Sequence, residues 1–455
     1  MSDDDKIAKI SDWRPTDIVT EESAALEFAE RHKCTLRFDH SAGRWLYFDG
    51  AAWRPDHRQL ALAWARAQVR ALAERKSETA RFVMGRLSFA RSVEIAARAD
   101  QRLSASAEVW DRDPYLLATP KATINLRTGD WMEPDPDHLI TKLAGVAPSL
   151  DYGPGDVATH GRWLNFIMQT FGDSEMMRYV QRICGYALTG DTSEHAMFLL
   201  VGSGGNGKST LLNVLRFILG DYAAVASMDT FMAAYGDRHS CDLAALAGAR
   251  LIIASETEGG RYWDETRIKA LTGGDAVTAR FMRRNPFTFV PTGKIMIATN
   301  EMPNLRNVND AMRRRIHVVE FPNRPAKADP RLEDELKAEA PGILAWMIKG
   351  ALDWQRQGLD PPQCVKEAGA NYFYEQDVIG RFLAEELVFA PHDENVRTPS
   401  AVLWGAWTAF ARSNAKPPGR TNDLAAGLEK RGARKCFVQH GVRGWAGVAL
   451  RASPP

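Results

Sequence analysis

An apolar run, Ala196-Met-Phe-Leu-Leu-Val201, leads straight into Gly202-Ser-Gly-Gly-Asn-Gly-Lys208-Ser209, and a helical run from Thr210 to Leu219 follows. A short strand without polar alternation belongs inside a parallel sheet, where both faces are covered. The turn matches G-x-x-x-x-G-K-[ST] and stands in the order that pattern requires: strand, glycine loop, helix. Its glycines allow successive backbone N–H groups to turn inward on a polyphosphate, and the helix behind offers its positive end. Residues Gly202, Ser203, Gly204, Gly205, Asn206, Gly207, Lys208, Ser209 and Thr210 are therefore the candidate nucleotide cradle. Lys208 would reach the β and γ oxygens of ATP, and the Ser209 hydroxyl would ligate Mg²⁺.

Such a loop is common to kinases, GTPases and motors, so the neighbouring strands carry the rest of the reading. Arg250-Leu-Ile-Ile-Ala254 ends in Ser255-Glu256-Thr257-Glu258, 48 residues beyond Lys208. A carboxylate at the end of a core strand can join the Mg²⁺ shell and orient or deprotonate a water in line with the γ-phosphate; Glu256 is the first choice, Glu258 the second. A further strand, Lys294 to Thr299, ends at Asn300, whose amide can hydrogen-bond both the attacking water and a γ-phosphate oxygen. After a break at Met302-Pro303 comes Arg313-Arg314-Arg315. These are either a surface cluster or a source of an arginine that stabilises the transferring phosphoryl group, with Arg315 and Arg314 preferred. Strand and helical runs alternate through this region, which predicts a mainly parallel α/β sheet.

At 455 residues the chain has room for two or three domains. Pro and Gly clusters at 134–136, 152–155 and 359–362 divide it into an α+β amino-terminal module (1–155), the nucleotide-binding unit (156–358) and a small basic carboxyl-terminal domain (363–455) with a winged-helix-like pattern. Arg44 to Trp53 reads as an aromatic hairpin, and about Gln59 to Ala107 as a helical stretch. The net charge of +1 conceals local excesses: 261–315 holds eleven basic residues against five acidic, and 405–455 nine against two. Both are candidate polyanion contacts on an otherwise acidic body. Between Thr278 and Thr292 two short strands would flank a basic tip, Met282-Arg283-Arg284-Asn285. Arg283 and Arg284 there either grip DNA phosphates or form an ordinary charged turn. Lys269 and Arg280 read as ion-pair partners for Asp275 or as further contacts.

The ordered set from Gly202 to Phe321, including Ile268-Lys-Ala-Leu-Thr-Gly-Gly-Asp275 and Ala279-Arg280, resembles superfamily 3 helicases, in the branch found in phage, plasmid and poxvirus primase-helicases. Thr119 to Asp130 is similar to the segment that precedes the helicase in these proteins, and 363–450 to their last domain. One departure is Ser255 before Glu256, where many members place two acidic residues. The resemblance implies an AAA+-like P-loop NTPase core and a ring, usually hexameric, with ATP between subunits. Single-stranded DNA would lie in its channel and be tracked 3′ to 5′.

The expected activity is ATP-dependent replicative DNA unwinding for a phage, plasmid or integrated element, with single-stranded and forked DNA as partners. The alternative is an ATP-controlled DNA-binding initiator or loader; a small-molecule kinase fits poorly with Asn300 and the distant arginines. Asp111-Arg112-Asp113 could hold two metals for nucleotide transfer, but Pro114 follows at once and no zinc-binding cysteine pairs accompany it. Synthesis is therefore assigned to a separate primase or polymerase. An acidic start, five widely spaced cysteines and no apolar run near 18 residues predict a cytoplasmic protein with reduced thiols and no membrane partner.

Overall fold

The computed structural model describes residues 19–74, 76–149, 161–233, 241–255, 261–281, 285–305, 308–393, 395–414, 416, 418–438 and 441–451. Thr20 opens helix α1 (Glu21–His32) by accepting from Ser23 N, while Ser23 Oγ accepts from Thr20 N. Strands β1 (Leu36–Asp39), β2 (Arg44–Phe48) and β3 (Trp53–Pro55) form an antiparallel ribbon, and the expected aromatic hairpin is the β2–β3 pair. The stretch expected to be helical holds three separate helices, α2 (Leu60–Ala73), α3 (Glu78–Met84) and α4 (Leu87–Arg98), after which β4 (Ser104–Ala105) pairs parallel to β1. The break has a local cause. Ser77 accepts from Ala80 N and so starts a new helix, a preference of serine that Ala- and Arg-rich periodicity hides.

A small antiparallel sheet, β5 (Leu116–Ala118), β6 (Thr123–Asn125) and β7 (Asp130–Met132), leads into α5 (Gly161–Phe171) and α6 (Ser174–Tyr186). There follow β8 (Met197–Val201), α7 (Lys208–Leu219), β9 (Ala223–Val225), α8 (Cys241–Ala244), β10 (Leu251–Ser255), α9 (Glu265–Gly273) and the antiparallel pair β11 (Val277–Ala279) and β12 (Phe287–Phe289). The series closes with β13 (Lys294–Thr299), α10 (Asp310–Arg313), β14 (Ile316–Glu320), α11 (Leu332–Ala338) and α12 (Ala340–Gln357). Among the described residues, five strands make one parallel sheet in the order β14-β8-β13-β10-β9. Alternate side chains feed two cores. Phe198, Leu200, Met296 and Val319 face α6, α7 and α12, whereas Leu199, Ile252, Ile297 and Val318 face Ile268 and Leu271 of α9. The sheet is thus the middle of three layers, with β8 and β13 apolar on both faces.

Packing places the seams differently from the proline clusters. Leu117, Ile124, Leu126 and Ala144 belong to the core beneath the parallel sheet, while a separate cluster runs from Ala24 to Leu103. At the other end α13 (Gln363–Gln376) packs Tyr372 and Phe373 into the sheet's second core. Only from α14 (Val378–Glu385) onward does an independent cluster form, with β15 (Leu387–Phe389), β16 (Arg397–Pro399), α15 (Ser400–Ser413), α16 (Thr421–Lys430), β17 (Arg434–Phe437), β18 (Arg443–Ala446) and β19 (Val448–Leu450). Its sheet order is β16-β18-β17, all antiparallel. Among the described residues no helix is long and apolar enough to cross a membrane.

Candidate functional site

The glycine loop leaves the sheet at Val201, which is in register with Thr299 of β13 and Glu320 of β14. Two of its glycines are required by geometry. Gly202 has φ +156°, and a Cβ there would lie 2.1 Å from Asn206 Nδ2 and 2.7 Å from the Phe321 carbonyl. Gly207 has φ +92°, with a Cβ position 2.9 Å from the Phe166 ring. Asn206 is buried and locks the turn by donating to Phe321 O at 3.0 Å. Helix α7 then begins at Lys208, so its first N–H groups have no carbonyl of their own and point at whatever the loop holds.

Lys208 Nζ is gathered over this loop, donating to Gly202 O at 2.5 Å, Asn206 Oδ1 at 2.9 Å, Ser203 O at 3.3 Å and Asn300 Oδ1 at 3.2 Å. Asn300, 92 positions along the chain, is brought there because β13 lies beside β8 and ends level with it. Burial draws the Lys208 ammonium below its usual pKa. The side chains open onto a cavity of about 650 Å³ that also takes in Ser209 and Thr210. Sequence reasoning missed the opposite wall. Phe166 and Thr170 of α5, with Asn323, Arg324 and Lys327 after β14, complete the cavity, and no motif spacing links these two segments to the glycine loop. A closely apposed cation, helix terminus and amide of this kind can hold a polyphosphate.

The remaining candidates are distributed unevenly. Strand β10 brings Ser255 level with Ala298, but Glu256 and Glu258 lie outside the described residues. The two expected short strands are present as β11 paired with β12, Ala279 opposite Phe287; Arg283 and Arg284, between them in the sequence, also lie outside the described residues. Arg314 and Arg315 stand at the opposite end of the sheet from the glycine loop, because Ile316 of β14 is level with Met197, where β8 begins. Five residues of strand, roughly 16 Å, separate them from that loop. Arg314 is exposed, and among the described residues its side chain has no hydrogen-bond or ion-pair partner. Arg315 is tied back, donating to Thr272 Oγ1 at 3.1 Å and Ala311 O at 2.9 Å.

Several other expectations resolve into structural roles. Asp275 has Arg315 as its neighbour across Gly273, whereas Lys269 lies 4.0 Å from Glu265. Asp111 accepts from Thr141 N at 2.8 Å and Asp113 from Arg127 Nη1 at 2.9 Å, so both carboxylates of that motif serve turns. In the last domain Trp445 is buried, while Phe437 on β17 is exposed. All five cysteines are free, and only Cys184 is buried. Among the described residues no cluster of His, Cys, Asp and Glu suits a metal by itself.

Residues 25–172 match a domain model described as "D5 N terminal like", and residues 200–315 match a "Family of unknown function (DUF5906)". A "Putative helicase" of Acanthamoeba polyphaga mimivirus is 25% identical over 299 residues, 61% of this chain and 31% of its own length. One from Frog virus 3 is 24% identical over 315 residues, 64% and 31%. A "Putative primase" of African swine fever virus is 22% identical over 332 residues, 67% and 34%. The chain thus spans about a third of the length of these relatives. The apo structure of the NrS-1 C-terminal region has a similar fold, with TM-score 0.51 at 9% identity over 94% of this chain and 99% of that one. On these matches, the chain is similar to proteins of the primase-helicase family.

Proposed function

We propose that this chain is the motor of an ATP-dependent DNA helicase of the superfamily 3 type, working as a ring with a nucleotide at each subunit junction. The observation that carries the reading is the meeting of Lys208 with the glycine-loop carbonyls and Asn300 at one end of the sheet, while Arg314 and Arg315 occupy the other. An arginine so far from its own loop can act only on that of a neighbouring subunit, which supports a closed ring, hexameric in the group this chain resembles.

In this mechanism Lys208 holds the β- and γ-phosphates, and the first turn of α7 takes up their remaining charge. Asn300 orients a water in line with the γ-phosphorus. Glu256 accepts its proton as the new P–O bond forms and the bond to ADP breaks, while Arg314 or Arg315 of the next subunit stabilises the charge on the transferring group. Mg²⁺, when bound, would offset the negative charge of the phosphates. Ser209, exposed at the cavity wall, and Glu256 would hold it, and so few protein ligands suit an ion that keeps water and phosphate in its shell. Arg283 and Arg284 grip the phosphates of single-stranded DNA, and movement of the β11–β12 hairpin pulls the strand, 3′ to 5′. A separate primase or polymerase would use the exposed template.

A second reading, an initiator or loader with weak unwinding, draws on the last domain. Its three helices α14, α15 and α16 beside the antiparallel β16-β18-β17 sheet support a winged-helix-like reading, and Phe437 is 65% exposed on the same strand as Arg434. Forked DNA with either a 3′ or a 5′ tail separates the two, with particle mass measured on the same sample. ATP-dependent unwinding of the 3′-tailed fork by a ring-sized particle is expected. Hydrolysis indifferent to single-stranded DNA in a protein that stays monomeric with ATP would defeat the motor reading.

A further inference from the structure

The loop after β14 carries a cation that the motif pattern does not include. It runs beside the glycine loop, with Phe321 N donating to Val201 O at 2.7 Å and Phe321 O accepting from Asn206. Asn323 then ties it to the carboxyl end of α5, its Nδ2 donating to Gln169 O at 3.0 Å and Thr170 O at 3.2 Å. Pro322 and Pro325 bracket the next two positions and narrow their backbone freedom. Arg324 is thus held by its neighbours across the middle of the glycine loop. Its Nε, Nη2 and Cζ lie 3.4, 3.7 and 3.8 Å from the Cβ position of Gly205. It is exposed, lines the cavity, and among the described residues makes no hydrogen bond or ion pair.

An arginine kept over an anion-binding loop without a carboxylate partner is poised for an anion. We propose that Arg324 binds the phosphate chain of the nucleotide from within the same subunit, as a second cation beside Lys208; the assignment rests on the nucleotide-site reading above. The two cations differ in approach. Lys208 rises from α7 and is already surrounded by four oxygen acceptors, whereas Arg324 reaches in from the loop after β14 and offers a planar fork to two phosphate oxygens. Closing this fork over the γ-phosphate distinguishes ATP from ADP by charge and by donor geometry. The distant Arg314 and Arg315 cannot supply that contact from the same chain.

The test is equilibrium binding of ATP, ADP and AMP to the full chain, unmodified and as Arg324→Ala, Arg324→Lys and Lys208→Ala. The expected result is at least a tenfold loss of ATP affinity for Arg324→Ala, a smaller loss for ADP and little change for AMP, with partial recovery in Arg324→Lys. The thermal midpoint of the nucleotide-free protein should stay where it was; a fall would make Arg324 a structural residue and overturn the proposal. ATP affinity within twofold of the unmodified chain for Arg324→Ala, with loss for Lys208→Ala, would also overturn it while leaving the nucleotide site standing. So would an equal loss for all three nucleotides, which would put the side chain on the nucleoside. If neither Lys208→Ala nor Arg324→Ala changes ATP affinity, the nucleotide-site reading fails and this proposal with it.

Discussion

At the end of the parallel sheet where its strands begin, Lys294 is 1% exposed and donates to the carbonyls of Thr189, Asp191 and Thr292, and Arg250 donates to those of Leu188 and Leu116. At the end where the strands finish, Lys208 is 6% exposed and donates to the carbonyls of Gly202 and Ser203 and the amides of Asn206 and Asn300. Burial lowers the pKa of both lysines. Neither burial nor perturbation tells the two lysines apart. Their surroundings do, because Lys294 lies over the Tyr186 ring, whereas Lys208 borders a cavity of about 650 Å³, large enough for a nucleotide.

The sharpest way to break that contrast is to remove each lysine. Lys208→Ala should abolish ATP hydrolysis, a fall of about 10³-fold or more, with the thermal midpoint little changed. Arg314→Ala should lower hydrolysis by about 10²- to 10³-fold while sparing nucleotide binding, measured by steady-state ATPase and by titration of ATP. Arg315→Ala should in addition lower the thermal midpoint, because that side chain also braces α9. Lys294→Met should leave ATP affinity alone but cost about 2–4 kcal/mol in denaturant unfolding, since three buried carbonyls lose their donor. Between the two ends, His317 of β14 is half-buried beside Tyr179, and desolvation lowers its pKa from 6.5 to about 4. The fold therefore disfavours its protonation. The stability it contributes is full above pH 6.5 and falls away as the pH drops towards 4, by about 3 kcal/mol, a loss that His317→Gln should reduce.

The sheet's strands and the glycine loop were legible because buried parallel strands leave uninterrupted apolar runs, and a phosphate loop needs its glycines at fixed spacing. Asn300 was legible for the same reason, as the residue after such a run. Phe166, Asn323 and Arg324 were not. They reach the cavity only because α5 folds over the loop after β14, a contact between residues more than 150 positions apart that no periodicity records. The seams were misplaced for a related cause. Proline and glycine mark turns, but which core Leu117 or Phe373 enters is decided by packing, and both join the parallel sheet's layers. The separation of Arg314 and Arg315 from their own loop likewise follows from the register of β14 on β8, which spacing alone does not contain.

The central claim is that one sheet end binds the nucleotide while the other serves the neighbour's nucleotide. Its most direct measurement is ATP hydrolysis in mixtures of Lys208→Ala and Arg314→Ala/Arg315→Ala proteins across a range of ratios, each inactive by itself. Recovery of hydrolysis in the mixtures, highest near equal amounts, is the predicted result, because some junctions then pair an intact loop with an intact arginine. Activity that stays at the level of the separate variants at every ratio, in particles of confirmed ring mass, would contradict it.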